Sequence, residues 1–319
     1  MRPRFAADYR TLLWVVFAAA LVALEFARPS LAPYLFWLNA YLALACGVIA
    51  HNHNHCPTFA DKRANQAFAM AISTFYGYPV FAWIPTHNLN HHKYVNRAGD
   101  ATITWRFTNK HNVWVAASYF FVSSYYQGYP IREFIKKARE QNRPLYNRIL
   151  TQYAFWIGSH LVLLGLALAL HGLRQGLVLY VLTCGIPAFF ALWTIMLFNY
   201  EQHVHTDPWS VHNHSRSWDG KLVNFFLFNN GLHAAHHENP GTHWSKLPEL
   251  HAELAPNIDR NMWWYFAKNY LVAPLFPKFG SVQIGRAPFD PPDGKLDVVT
   301  SAEVELGEAG TNARFVGSA

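Results

Sequence analysis

Residues 31–57 read LAPYLFWLNAYLALACGVIAHNHNHCP. The first twenty carry no charge, and as a helix rising 1.5 Å per residue they extend about 30 Å, the thickness of a bilayer's hydrocarbon core. The next residues alternate histidine with asparagine, and Pro57 then helps to end the helix. If the helix runs one turn beyond Ala50, His51 and His55 lie four residues apart on one face, at the depth of the lipid headgroups. A span that delivers a pair of imidazoles to its water-facing end decides how the rest of the chain is read.

Three further segments have the length and apolarity of a crossing: Thr11–Ala27, Ile149–Leu170 and Leu177–Phe198. Leu177–Phe198 repeats the pattern of residues 31–57. It is followed at once by Asn199 and His203, again four apart, with Pro208 beyond. The stretches Ala64–Ile84 and Val113–Tyr126 are also apolar but do not fit as crossings. One crossing between His55 and His87 would put histidines on opposite faces, and too few residues lie there for two. Both stretches are read as in-plane or re-entrant helices.

The composition agrees. Of 319 residues 52% are hydrophobic and only 14% charged, against roughly 25% charged in an average soluble domain. The aromatic content of 16% excludes a disordered chain, and three cysteines exclude a disulfide scaffold. Bases outnumber acids 23 to 13 in residues 1–280, but they are scattered among apolar segments instead of forming a nucleic-acid patch. With the N-terminus inside, 24 of the 26 bases fall on the cytosolic side of the four spans. Residues 281–319 carry six acids and three bases and are expected to form a polar, acidic, disordered tail beyond a membrane domain of residues 1–280.

Histidine is the outlier. There are 18, nearly as many as the 19 acids together. Two more clusters read His87-Asn88-Leu89-Asn90-His91-His92 and His233-Ala234-Ala235-His236-His237. On a helix His87 shares a face with His91, and His233 with His236 and His237. Adjacent histidines diverge by 100°, so each doublet serves two neighbouring metals more easily than one. The set His51, His55, His87, His91, His92, His203, His233, His236 and His237 overfills a single zinc site. Asn199 is left to act through a water. Imidazole suits iron, copper, nickel and zinc alike, so the ligands do not choose the metal. Asp100, Glu201 and Glu238 are candidates to orient imidazole N–H groups. His53 points away from the His51/His55 face, and His205 could replace His203 if the helix unwinds there. His160 lies inside a span, where it is expected to bond to a neighbouring helix. The expected fold is therefore an all-α integral membrane protein: about four transmembrane helices, in-plane helices and a cytosolic helical cap carrying a histidine-rich two-metal site.

At these residues the chain resembles the membrane-bound fatty acid desaturase family, which also holds hydroxylases and carotenoid ketolases. The three histidine boxes appear as His51 to His55, His87 to His92 and His233 to His237. The run Asn239-Pro240-Gly241-Thr242-His243-Trp244 resembles the family's downstream pattern, and Asn199 with His203 its separate pair. The middle box has three residues between His87 and His91 where many members have two. The resemblance implies two iron ions, dioxygen as co-substrate, and hydrogen abstraction from a fatty acyl chain or another lipid. No fused heme domain is visible, so electrons are expected from a separate ferredoxin, or from a cytochrome with its reductase. The expected setting is a multi-pass protein of the bacterial inner membrane rather than the endoplasmic reticulum, with the site facing the cytosol. Two alternatives stand beside desaturation: a hydroxylase or ketolase on the same site, and a histidine-rich membrane metal transporter. A transporter would place its ligands near the bilayer midplane, where only His160 lies. A zinc hydrolase lacks H-E-x-x-H.

Overall fold

A computed structural model describes residues 2–259, 283–294 and 305–311. Among these there is no β-strand, only an isolated bridge between Pro3 and Phe59. Ten α-helices occur in chain order: α1 (Asp8–Ala27), α2 (Ala32–His55), α3 (Lys62–Tyr76), the single turn α4 (His92–Tyr94), α5 (Val113–Gln141), α6 (Arg143–Tyr180), α7 (Ile186–His203), α8 (Lys221–Phe226), α9 (His233–Glu238) and α10 (Leu247–Leu254). The chain divides into two compact units, Met1–Trp83 with Ala138–Ile195, and Ile84–Lys137 with Met196–Ala319.

The first unit holds the spans, apart from the end of the last one beyond Ile195. Three helical stretches are long and apolar enough to cross a bilayer: Asp8–Ala27, Pro29–His55 and Arg143–His203. The third, at 61 residues, is far longer than one crossing. It is broken at Gly172, whose φ of +74° is outside the helical region. Beyond the break the chain doubles back, because a Cβ on Gly176 would lie 2.4 Å from the carbonyl oxygen of Ala167. The stretch is therefore a hairpin, which gives about four spans. These helices are apolar all round. On α1, Val15, Ala18 and Val22 are buried while Val16 is 59% exposed; on α6, Leu161 and Val162 are 64% and 69% exposed. Exposed apolar faces of this extent are stable against lipid, not water.

Helix α2 continues without a break to His55, so the imidazole pair rides on the span itself. Helix α3 follows after Asp61 accepts the Ala64 N–H as its N-cap. At 15 residues it reaches only about 22 Å and cannot cross alone. It ends at Gly77, with φ +88°, where a Cβ would meet that of Ala188 at 2.5 Å. Gly47 on α2 similarly makes room for the Tyr76 ring. Tyr76 in turn stacks on Trp83, and Trp83 lies edge-on to His51, 5.3 Å between centroids. Two close approaches thus brace the first box from behind.

The second unit has a polar interior built around histidine, asparagine and threonine. Helix α5 runs 15 residues past the expected end at Tyr126. Gly128 and Pro130 read as breakers in the sequence, but a proline removes only one helical hydrogen bond and here is accommodated within the helix. Its exposed face carries Trp114, Phe121 and Tyr125, followed by Arg132 and Lys136. Aromatic rings followed by bases are the side chains that suit a lipid headgroup layer. Residues 283–290 of the expected tail are attached to this unit. Ile284 donates to the His205 carbonyl and Trp209 Nε1 to that of Ala287. Residues 260–282, 295–304 and 312–319 lie outside the described set.

Gly77→Ala should destabilise the protein by about 1–3 kcal/mol, since it adds a left-handed alanine and an overpacked contact. Gly158→Ala, where a Cβ meets nothing within 4 Å, should cost nothing. Thermal unfolding of the two variants in detergent tests the pair.

Candidate metal centre

Residues 84–91 form a π-helix, and that local choice arranges the second box. A π turn is wider than an α turn, so residues five apart, not four, come into register. His87 Nε2 consequently lies 3.1 Å from His92 Nε2. The ring of His91 stacks on that of His87, 5.1 Å between centroids, but its Nε2 points elsewhere, 3.0 Å from His203 Nε2. His87 and His91, expected to share one face as a pair, therefore serve different groups.

The first group is His91, His203, His233 and His237, whose ligand atoms all lie within 4.8 Å of one another. His203 closes α7, while α9 supplies His233 and His237 at an i, i+4 spacing. His203 Nε2 is 3.0 Å from His233 Nε2, which is 3.1 Å from His237 Nε2. All four are buried. The second group, again in this unit, is His87, His92 and His236. His92 Nε2 is 3.0 Å from His236 Nε2, and the His87 and His236 rings lie parallel to within 3°. In the first unit His51 and His55 form a pair with centroids 4.8 Å apart. His53 turns away and bonds Thr58 Oγ1 at 3.0 Å.

Such nitrogens fit a cation better than one another. A neutral imidazole has one N–H, so His203 Nε2 cannot donate to His91 and His233 at once. Ligands about 2.1 Å from a shared metal and at right angles to each other are separated by about 3.0 Å, as these are. Burial, reinforced by His92, His233, His203 and His91, holds the His237 pKa well below its ordinary value, so the ring is neutral and able to ligate. Burial alone would raise the Asp100 carboxyl. The His91 ring and hydrogen bonds from His91 and Thr102 outweigh it, bringing Asp100 down to about 2.

Asp100 is a carboxylate that reaches the cluster. Its Oδ2 lies 2.7 Å from His91 Nδ1, and Thr102 Oγ1 lies 3.0 Å from the same nitrogen. Both turn His91 Nε2 toward the shared point, an arrangement typical of metal-bound histidine. The loop that carries Asp100 begins with Val95 and Asn96 at φ +44° and +62°. A left-handed β-branched residue is strained, and it persists only where its surroundings hold it. The holding contacts come from Asn96. Its N–H donates to Asp100, and its Nδ2 donates to the His203 carbonyl at 2.9 Å.

The other sequence candidates lie around this core. Asn199, one turn before His203, donates through Nδ2 to the Tyr119 hydroxyl at 2.8 Å. Glu201 Oε1 faces His111 Nε2 at 3.8 Å. Glu238 is half-buried at the end of α9. His160 meets the Tyr180 hydroxyl at 3.0 Å. Residues not singled out in the sequence also contribute: Asn96, Thr102 and His214. The His214 carbonyl faces His203 Nδ1 at 3.2 Å, and its ring lies 5.4 Å from that of His237. Their positions depend on how the loops close, so no local pattern announces them.

The description of the family model that matches the chain is fatty acid desaturase, and the match covers residues 29–269, 241 of the 319 residues. No curated protein and no solved structure matches.

Asp100→Asn keeps the shape but removes the charge behind His91. It should weaken metal binding about 10–100-fold, read by competition with a chromophoric chelator. Unchanged affinity would mean that the carboxylate does not tune His91.

Proposed function

This chain belongs to the fatty acid desaturase family, and on that premise we propose that it is an oxygen-dependent desaturase of a fatty acyl chain, presented as an acyl lipid or acyl thioester. The observation that carries the reading is the buried all-imidazole group of His91, His203, His233 and His237. A second group, with His87, His92 and His236, is its counterpart. In this reading His51, His55, His87, His91, His92, His203, His233, His236 and His237 hold a pair of irons, with Asn199 acting through a water. The assignment of His51 and His55 rests on the sequence pattern. When bound, the irons activate dioxygen for abstraction of hydrogen from an unactivated C–H bond.

What the protein contributes can be stated for its own residues. Neutral imidazoles bring no negative charge to the centre, so the ligands leave it strongly electrophilic. Asp100 and Thr102 fix the His91 ring, and the backbone of His214 stands behind His203. Complete burial of His91, His92, His203 and His237 keeps bulk water from the reacting region. Two electrons and two protons are needed for each turnover, and a separate ferredoxin, or a cytochrome with its reductase, supplies the electrons. The excess of bases on one side of the spans supports a cytosolic site, and the setting we favour is the bacterial inner membrane. Hydroxylation or keto formation on a lipid or carotenoid uses the same residues and is the neighbouring reading.

Lipid profiles of a host expressing the wild type, against a host expressing His236→Ala, should differ in one unsaturated acyl species. A hydroxylated or keto product would select the neighbouring reading. His91→Ala, His92→Ala, His236→Ala and His237→Ala should each abolish conversion and lower iron content while the spans remain folded by circular dichroism. Full activity in any two of them, or a protein that binds zinc and stays inert toward dioxygen, would overturn the assignment.

A further inference from the structure

Beside the histidine groups, and taking no part in them, lies a second buried polar cluster. Tyr200 on α7 is fully buried, and its hydroxyl lies 3.1 Å from Nδ1 of His111, itself 5% exposed. His111 Nε2 faces Glu201 Oε1 at 3.8 Å, and Glu201 is 1% exposed. At 3.8 Å the carboxylate is beyond hydrogen-bond reach, but its charge favours the tautomer with the proton on Nε2, in which Nδ1 is free to accept from the Tyr200 hydroxyl. Burial, with His205 and Arg216 adding to it, holds His111 at about 4, so the ring is a neutral acceptor. On the other side, the Tyr200 ring lies 5.0 Å from that of Tyr119. The Tyr119 hydroxyl receives the Asn199 amide and donates to the Thr102 carbonyl, and Thr102 Oγ1 stands 3.0 Å from His91 Nδ1. Contacts thus run unbroken from a cluster histidine to the Tyr200–His111 pair.

We propose that Tyr200, His111 and Glu201 form a proton-coupled redox site that can draw an oxidising equivalent away from the metal centre through Tyr119. The link to that centre rests on the desaturase reading. When dioxygen is reduced with no lipid in place, the oxidant so formed takes one electron from Tyr200, and the Tyr119 ring serves as the bridge between them while keeping its own O–H bond. The Tyr200 O–H bond breaks as its proton forms an N–H bond at His111 Nδ1, leaving a neutral phenoxyl radical and an imidazolium beside Glu201. An electron from the external reductant reverses the step, and the proton returns to oxygen. The two tyrosines differ in the feature that matters. Tyr119 donates to a backbone carbonyl, which cannot keep a proton, whereas Tyr200 donates to an imidazole, which can. The equivalent therefore settles on Tyr200.

The test is flash oxidation of the purified full chain in detergent with a ruthenium tris-bipyridine oxidant, followed by freeze-trapping and high-field electron paramagnetic resonance. The wild-type spectrum minus that of Tyr200→Phe should show a tyrosyl radical with the g-shift of a hydrogen-bonded phenoxyl. His111→Gln keeps a hydrogen-bond acceptor but offers no base, so it should lose that signal while remaining folded. Absence of a Tyr200-dependent signal in the wild type, or an unchanged one in His111→Gln, would overturn the proposal. A second arm exposes iron-loaded, reduced protein to dioxygen without lipid, where the same radical is expected. A signal produced by light but not by dioxygen would leave the redox site standing and count against the desaturase reading.

Discussion

Seven imidazoles converge in the interior of the second unit, and burying their ring nitrogens is the constraint on which the surrounding structure depends. A buried polar group without a partner costs roughly 1–3 kcal/mol. Several such nitrogens facing one another at about 3.0 Å cannot all be satisfied by sharing protons. A bound cation changes the balance, because metal binding in small histidine and cysteine sites is worth roughly 10–16 kcal/mol. That is the order of the burial cost of the whole cluster. The loop strain at Val95 and Asn96 belongs to the same balance, since it is what brings Asp100 behind His91.

The spans solve a different problem. Their outer surfaces are apolar, and their lengths suit the bilayer. Within them polar groups are paired locally: the Asn39 amide donates to both carboxylate oxygens of Glu25, and Thr74 to Ser159. Small residues do the fitting. Gly47, Gly77 and Gly176 each allow an approach that a methyl group would block. The helices are rigid mounts, and α2 and α7 carry histidines on their last turns without an intervening loop.

Much of this was legible in the sequence because it rests on periodicities. The apolar lengths gave the spans, and the i, i+4 spacings gave the pairs on α2 and α9. The middle box was less legible, since its pairing depends on whether residues 84–91 adopt an α or a π turn, and both satisfy the same pattern of polar and apolar residues. The full length of α5 was hidden by Gly128 and Pro130, which local propensity counts against a helix and which tertiary packing tolerates. Residues such as Thr102 and His214 were beyond reach, because their roles come from loops with no repeat to read. Asp100 was visible only as one of three acids near a box, and loop geometry distinguishes it.

The wide turn at residues 84–91 also bears on how such a chain can change over generations. In an ordinary helix, one inserted residue swings everything after it by 100° and would scatter a ligand set. A π turn takes up the added residue within a single loop of backbone, so the residues on either side keep their facing. An added residue in such a turn therefore leaves the direction of the flanking side chains unchanged. Two chains can hold their metals alike while their histidines fail to align letter for letter.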